Sequence, residues 1–423
     1  MGSTCAYRLM NYTVKKNLFN YNKIGFEWWH SHHYSRHYTG FKPKNVVVLT
    51  KLTRYEFEKA KAPELSEPEL KELLTRRGSD YNTLLYHHNI HKKHEEQVLY
   101  ELERHQIEAK VVDRFNYKEE DINEADAVIT IGGDGTFLLG AVRITKNDKP
   151  IIGFNSDPTR SEGYLCLAKK FSSDIGKAFD RLVKGEFRWM YRKRIRITLI
   201  GENIYDPPVE LHDEQLSKPE YRYIDGLQEQ LRNSEPETKE VPQNVRVLPV
   251  LGLNEVYIGE KLSARVSYYE LSVDNGERVK TKSSGLCLST GTGSTSWQFN
   301  INKLTHQAVA NLLVAIKQET GLMIDAQNEE LINRITNRFN HSLIFSPELS
   351  MMAYTIRDPV SVGTLPKPGE MKPRGFANKV EMKSRCFDAA LVIDGGLSFK
   401  FNDGTLAIFE MHDDDALKTV VLD

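Results

Sequence analysis

The chain has 423 residues, room for two domains of ordinary size with a core each. Its 57 Lys and Arg residues nearly cancel 58 Asp and Glu residues, and the formal net charge of -1 argues against a nucleic-acid binder. No run approaches the roughly 18 apolar residues that span a bilayer. The four cysteines (Cys5, Cys166, Cys287, Cys386) form no C-x-x-C pair and have no histidine at zinc spacing, so neither a disulfide framework nor a structural metal is expected.

Residues 1–43 differ from the rest. Within the first forty, Arg8, Lys15, Lys16, Lys23 and Arg36 face one acid, Glu27, amid Ser, Thr, Asn, Tyr and His. A basic, hydroxyl-rich, acid-poor segment has the composition of a mitochondrial transit peptide; the alternative is a disordered tail. From Asn45 the pattern alternates. Val46-Val47-Val48-Leu49 reads as a buried strand, Val98, Leu99, Leu102 and Ile107 fit a helix face, and 109–112, 127–131 and 151–154 read as further strands, with a helix over 137–144. Such alternation predicts an α/β domain over 44–190, a parallel sheet with helices on its faces and ligands at the carboxyl ends of its strands.

After Trp189 the texture changes to period two: Arg194-Ile195-Arg196-Ile197-Thr198-Leu199, then 254–258, 268–273 and 285–289. A β-rich domain is expected over 191–400, interrupted by inserts at 206–243, rich in Glu, Gln and Pro, and 362–378, rich in Lys, Pro and Gly; both read as surface loops. A helix is expected over 302–318, and Leu391-Val392-Ile393-Asp394-Gly395-Gly396 reads as a strand and turn. Residues 401–423 have no assignable chemistry.

Four segments carry candidate chemistry. The strand before Gly132-Gly133-Asp134-Gly135-Thr136 empties into three glycines around one carboxylate, with a helix start behind it. Backbone amides can approach a phosphate chain there, and the helix favours negative charge. An acid beside a phosphate site needs another task, such as accepting a proton from an attacking hydroxyl, so the turn suggests phosphoryl transfer. Taken alone, it also fits a tight turn with Asp134 as helix cap. Gly153-Phe154-Asn155 and Glu162-Gly163-Tyr164-Leu165 follow the next strand, where sheet topology would bring them near Asp134, or they are an ordinary strand exit. Asn254-Glu255 sets an amide and a carboxyl in an apolar strand context, suited to nucleoside hydroxyls and amines, or is a polar strand end. Ser289 to Trp297 is a second hydroxyl- and glycine-rich turn ending in a ring, suited to a dinucleotide, or a loop with Trp297 in the core.

Gly132 to Thr136, Asn254-Glu255 and Thr290 to Trp297 stand in the order and approximate spacing of the NAD kinases, and the chain resembles that family from Asn45 to Asp403. Asn155-Ser156-Asp157-Pro158-Thr159-Arg160-Ser161-Glu162-Gly163 and Thr53-Arg54-Tyr55-Glu56-Phe57-Glu58 look like its animal mitochondrial type. The first glycine turn is shared with diacylglycerol, sphingosine and, loosely, phosphofructokinases; the other two motifs separate the NAD kinases from these. The resemblance implies phosphorylation of the adenosine ribose 2′-hydroxyl of NAD by ATP to give NADP, with Asp134 as proton acceptor. It further implies Gly132, Gly133, Gly135, Thr136 and Asn155 at the nucleotide site, Asn254 and Glu255 on the nucleoside, and Thr292, Gly293, Ser294, Thr295, Ser296, Trp297 and Asn300 on the rest of NAD. Mg²⁺ is expected with ATP or polyphosphate, no protein-held metal, a homodimer and the mitochondrial matrix.

The sequence departs from the family's T-P-T-G-S-T-A-Y, reading Thr290-Gly291-Thr292-Gly293-Ser294-Thr295-Ser296-Trp297, and Ser284 stands before Gly285 where an acid is usual. These changes bear on NAD contacts and leave Asp134 intact. The rival readings are a lipid kinase of the diacylglycerol or sphingosine type and a dinucleotide sensor with a vestigial turn.

Overall fold

A computed structural model of the chain describes residues 41–202, 204–211, 244–360 and 371–422. The basic leader lies outside these but for its last three residues, as does most of each insert. What is described forms two compact units, one of 41–292 and 347–422 and one of 293–346.

The larger unit begins with a six-stranded sheet. Its strands run in space Glu108–Val112, Asn45–Thr50, Ala127–Gly132, Ile151–Asn155, Leu417–Val421 and Arg188–Arg192. Neighbours are parallel except for the last pair, where Arg188–Arg192 runs antiparallel to Leu417–Val421. Helices cover both faces, so the central strands Asn45–Thr50, Ala127–Gly132 and Ile151–Asn155 are near-continuous apolar runs, while the edge strand Glu108–Val112 is largely exposed. Val46, Val48, Ile129 and Ile152 pack with Val98 and Leu102 of helix Tyr81–Arg104 and with Ala178, Phe179 and Leu182 of helix Ile175–Lys184. Val47, Leu49, Val128 and Ile151, pointing the other way, pack with Phe137 and Ala141 of helix Asp134–Ala141 and with Ile122. Asn45–Thr50 lies between the second and third strands of the chain, so the connection leaving it and the one leaving Ala127–Gly132 run to opposite sides. That reversal opens a crevice at the carboxyl ends of Asn45–Thr50 and Ala127–Gly132.

The β-rich part is a sandwich. One sheet runs Val279–Ser283, Ser267–Val273, Lys379–Ser384, Leu406–Met411, Ile195–Ile200 and Val245–Val247; the other runs Arg374–Ala377, Met352–Arg357, Gly285–Ser289, Glu255–Glu260, Ala389–Ile393, Leu397–Lys400 and Val209–Glu210. Both are antiparallel. Alternation is clean in Ile195–Ile200, where Ile195, Ile197 and Leu199 are buried and share one core with Val256, Ile258, Leu286, Leu288, Leu391 and Phe409. Part of the second expected loop, Arg374–Ala377, is an edge strand paired with Met352–Arg357. The terminal segment that carried no reading supplies strands to both parts, Leu406–Met411 to the sandwich and Leu417–Val421 to the parallel sheet.

The smaller unit is helical. A 3-10 turn, Gly293–Thr295, precedes helices Trp297–Asn302, His306–Thr320 and Glu329–His341. The helix expected over 302–318 starts later, at His306, because Thr305 caps it by accepting the N–H of Ala308, and the short helix Trp297–Asn302 precedes it. Val309, Leu313, Ala326 and Ile332 form its core, and Gly321 ends the second helix in the left-handed region.

Candidate active site

Strand Ala127–Gly132 is buried throughout and ends in register with Asn155. A Cβ on Gly132 would sit 2.3 Å from Thr136 Oγ1, so a side chain there is excluded. Around Gly135 the reverse holds: a Cβ would meet nothing within 4 Å, and the turn faces open space. Between them, Asp134 begins the helix, and its carboxylate accepts the N–H of Tyr164 at 3.2 Å and of Leu165 at 2.9 Å.

The second segment aims those two amides. Asn155 is buried, donates through Nδ2 to Ser161 O and Oγ at 3.2 Å, and accepts the N–H of Asp157 at 3.1 Å. Gly163 is in the left-handed region (φ 66), and a Cβ there would meet Asn155 Nδ2 at 2.6 Å. Asn155 and Gly163 therefore fold 155–165 back over the glycine turn, where Ser161 Oγ lies 3.8 Å from the Cβ position of Gly133. On the other side Lys51 Cβ is 3.1 Å from the Cβ position of Gly132. Burial and the positive charge of Arg160 lower the pKa of Lys51, with Asp157 opposing. Asp157 itself is engaged by His87 Nδ1 at 2.7 Å and by the Thr159 hydroxyl.

Asn254 and Glu255 belong to a second knot. Strand Glu255–Glu260 begins at Glu255, so Asn254 stands at the strand mouth rather than within it. The first residues of the second glycine motif fasten it: Thr290 N–H donates to Asn254 O at 3.0 Å, and Thr290 Oγ1 donates to Leu253 O at 2.5 Å. Asp394 holds it from the far side. At φ 49, its carboxylate accepts the N–H groups of Leu253, Asn254 and Glu255 at 2.8, 2.7 and 3.0 Å. Burial pushes the Asp394 carboxyl up to about 6, with the three amides pulling the other way. Burial, and then the charge of Asp394, push Glu255 up to about 8, so at neutral pH its carboxyl is protonated and can donate a hydrogen bond. Glu255 Oε2 is buried with no partner among the described residues. The two knots share a core, since Leu253 packs with Phe137, Ala141 and Ile144.

Of the remaining candidates, Thr292 is buried and accepts a long bond from Arg192 Nη1 at 3.4 Å. The residues after it belong to the helical unit. There Ser294 Oγ accepts the N–H of Phe345 at 3.2 Å, Ser296 N–H donates to Gly293 O at 2.9 Å, and Asn300 Nδ2 donates to Ser296 O at 3.0 Å. Thr295 closes the 3-10 turn, and Trp297, more than one-third exposed, opens the helix that follows. The structure thus gathers Gly132, Gly133, Asp134, Gly135, Thr136 and Asn155 at one crevice and ties Asn254-Glu255 to Thr290, while Gly293 to Asn300 form a helical segment of their own. The residue reading missed Asp394, Lys51 and Arg192. An acid before Gly395-Gly396 at a strand end was the only available sign of the first.

The family described as "ATP-NAD kinase N-terminal domain" matches residues 45–187. "NAD kinase 2, mitochondrial" of Homo sapiens is 45% identical over 386 residues, 91% of this chain and 85% of that protein. Its counterparts in Rattus norvegicus and Xenopus tropicalis are 44% and 43% identical over 91% of this chain, covering 89% and 92% of theirs. These relatives are NAD kinases, which removes the lipid-kinase alternative. With the glycine turn and its acid at the switch point of the sheet and this identity along nearly the whole chain, the protein belongs to the NAD kinase family.

Proposed function

We propose that this chain transfers the γ-phosphoryl group of ATP to the adenosine ribose 2′-hydroxyl of NAD, giving NADP and ADP, in mitochondria. The observation that carries the reading is Asp134, a carboxylate fixed by two backbone N–H groups at the mouth of an open glycine turn. In this scheme the hydroxyl proton passes to the Asp134 carboxylate as the ribose oxygen bonds to the γ-phosphorus. The bond from that phosphorus to the β–γ bridging oxygen breaks, and ADP keeps its electron pair. The amides around Gly133 and Gly135 and the cations Lys51 and Arg160 suit the donor's phosphates, which would equally admit polyphosphate. Asn254 and the protonated Glu255 are assigned to the nucleoside, and Thr292 to Trp297 with Asn300 to the other half of NAD.

Mg²⁺ is proposed to arrive on the donor. No group of three or more His, Cys, Asp or Glu that could hold a metal ion occurs among the described residues. The matrix location is supported by the relatives, which are named mitochondrial, and by the basic leader. A homodimer is the proposed assembly, read by light scattering on the same preparation.

The test is NADP formation by the full chain given NAD, ATP and Mg²⁺, beside Asp134→Asn. That substitution keeps the shape and removes the base, and turnover is expected to fall ~10²–10⁴-fold. An Asn variant as fast as the parent would remove Asp134 from the role of base; NAD binding without turnover by the parent would favour a sensor.

A further inference from the structure

Two arginines two residues apart are both buried, and their surroundings differ. Arg194, 1% exposed, is satisfied by backbone carbonyls: Nε donates to Asp415 O at 2.6 Å, Nη1 to Ile144 O, and Nη2 to Thr145 O at 3.4 Å. Arg192, 9% exposed at the end of strand Arg188–Arg192, has through its side chain only the long bond to Thr292 among the described residues. Its Nε is buried with no partner among the described residues. A guanidinium offers five N–H groups in a fork that matches phosphate, and leaving most of them unused in the interior is costly.

The surrounding charges do not satisfy it. Burial lowers its pKa to about 10, and Asp134 is the first of the groups that oppose this, followed by Cys166 and Glu348, with Arg188 adding to the lowering. Glu348 is engaged elsewhere, accepting the N–H of Tyr191 at 3.1 Å and lying 3.9 Å from Arg188. Cys166 is a neutral thiol, pushed up by burial and by the Asp134 charge. Asp134 has both oxygens on the amides of Tyr164 and Leu165. The guanidinium is thus buried beside Thr292 and within the field of the acid of the glycine turn, with donors to spare.

We infer that Arg192 binds the phosphoryl group as it is transferred and then holds the 2′-phosphate of the product. The inference rests on the reading of the chain as an NAD kinase. It follows the movement of charge. Before transfer, Arg192 is balanced at a distance by the Asp134 carboxylate. When Asp134 takes the hydroxyl proton it becomes neutral, and at the same moment an anionic phosphoryl group is joined to the ribose oxygen beside it. The cation exchanges one counter-charge for another without moving.

The test uses the full chain with Arg192→Met and Arg192→Lys, and with Arg194→Met for comparison. For Arg192→Met, kcat is expected to fall ~10²-fold or more with the KM for NAD little changed. Affinity for NADP, measured by calorimetry, should fall ~10-fold or more while affinity for NAD holds. Arg192→Lys should restore part of both. Because a buried, poorly partnered charge burdens the fold, Arg192→Met should melt at or above the parent's temperature, whereas Arg194→Met should melt lower. An Arg192→Met variant that melts lower and loses NAD and NADP binding equally would make Arg192 structural. Unchanged kcat and NADP affinity would overturn the proposal equally. If the parent bound NAD but formed no NADP, the functional reading would fail by itself, and the comparison of NADP with NAD binding would still decide the role of Arg192.

Discussion

Glu255 opens one strand and Asp394 stands in the turn after the strand paired with it, and the desolvation of their two carboxyl groups gives a dependence on pH opposite to that of most acids. An unfolded glutamate releases its proton near 4.5, whereas folded Glu255 keeps it to about 8. Between those values the native chain holds a proton that the unfolded chain has lost, so this group makes stability fall as pH rises, with no further loss above about 8. Asp394 acts with the same sign over a narrower window, from 3.8 to about 6. Glu255→Gln fixes the neutral state. Denaturant unfolding of this variant from pH 5 to 8 should show a shallower decline than the parent; parallel curves would mean that Glu255 is ionised in the folded protein. The residue scale is also where the sequence is least legible. Asp134 is visible because its glycines are its neighbours. Asp394 holds amides 140 residues away. Arg192 and Arg194 look alike in Arg-Lys-Arg, and only burial and partners tell them apart.

The glycine turn shows what an element asks of its residues. At Gly132 the backbone of a strand closes against the Thr136 side chain, whose Oγ1 and Cβ would lie 2.3 and 2.8 Å from an added Cβ. Gly135, on the first turn of the helix, would meet nothing. Gly132→Ala should therefore lower the melting temperature sharply. Gly135→Ala should leave it unchanged or raise stability by about 0.5–1 kcal/mol, as Ala replaces Gly in a helix, while raising the KM for ATP by filling space before the turn. Equal melting temperatures for the two variants would contradict the packing described. Elements of this kind were legible from local pattern: the apolar runs at 46–49, 127–131 and 151–154 are strands because both faces of a parallel sheet are covered. Helix Tyr81–Arg104 was harder to read. It buries only His91, Val98 and Leu102, and much of its inner face is polar, with His91 Nδ1 bonded to Ser156 Oγ at 2.9 Å and His87 bonded to Asp157. A helix face that meets hydroxyls and acids leaves little apolar periodicity to find.

At the scale of the molecule, the succession from a parallel-sheet part to a β-rich part was legible as a change of hydrophobic period near Trp189. The return of the chain was not. Strand Leu417–Val421 lies between Ile151–Asn155 and Arg188–Arg192, and no rule of local sequence says that a strand will pair with partners more than 200 residues before it. Among the described residues, Arg188–Arg192 pairs with the sheet only through that strand. A chain ending after Met411 would keep every motif residue from Gly132 to Asn300 and lose the support of the strand that ends in Arg192. It should fail to form NADP and should expose 188–192 to rapid amide exchange, while NADP formation at the parent's rate would show that the strand is dispensable.

The same strand fixes an order in time. As the chain leaves the ribosome, the part that carries the glycine turn is made early, yet its sheet gains its fifth and sixth strands only after the whole sandwich has been synthesised. The half of the protein that begins first is completed last.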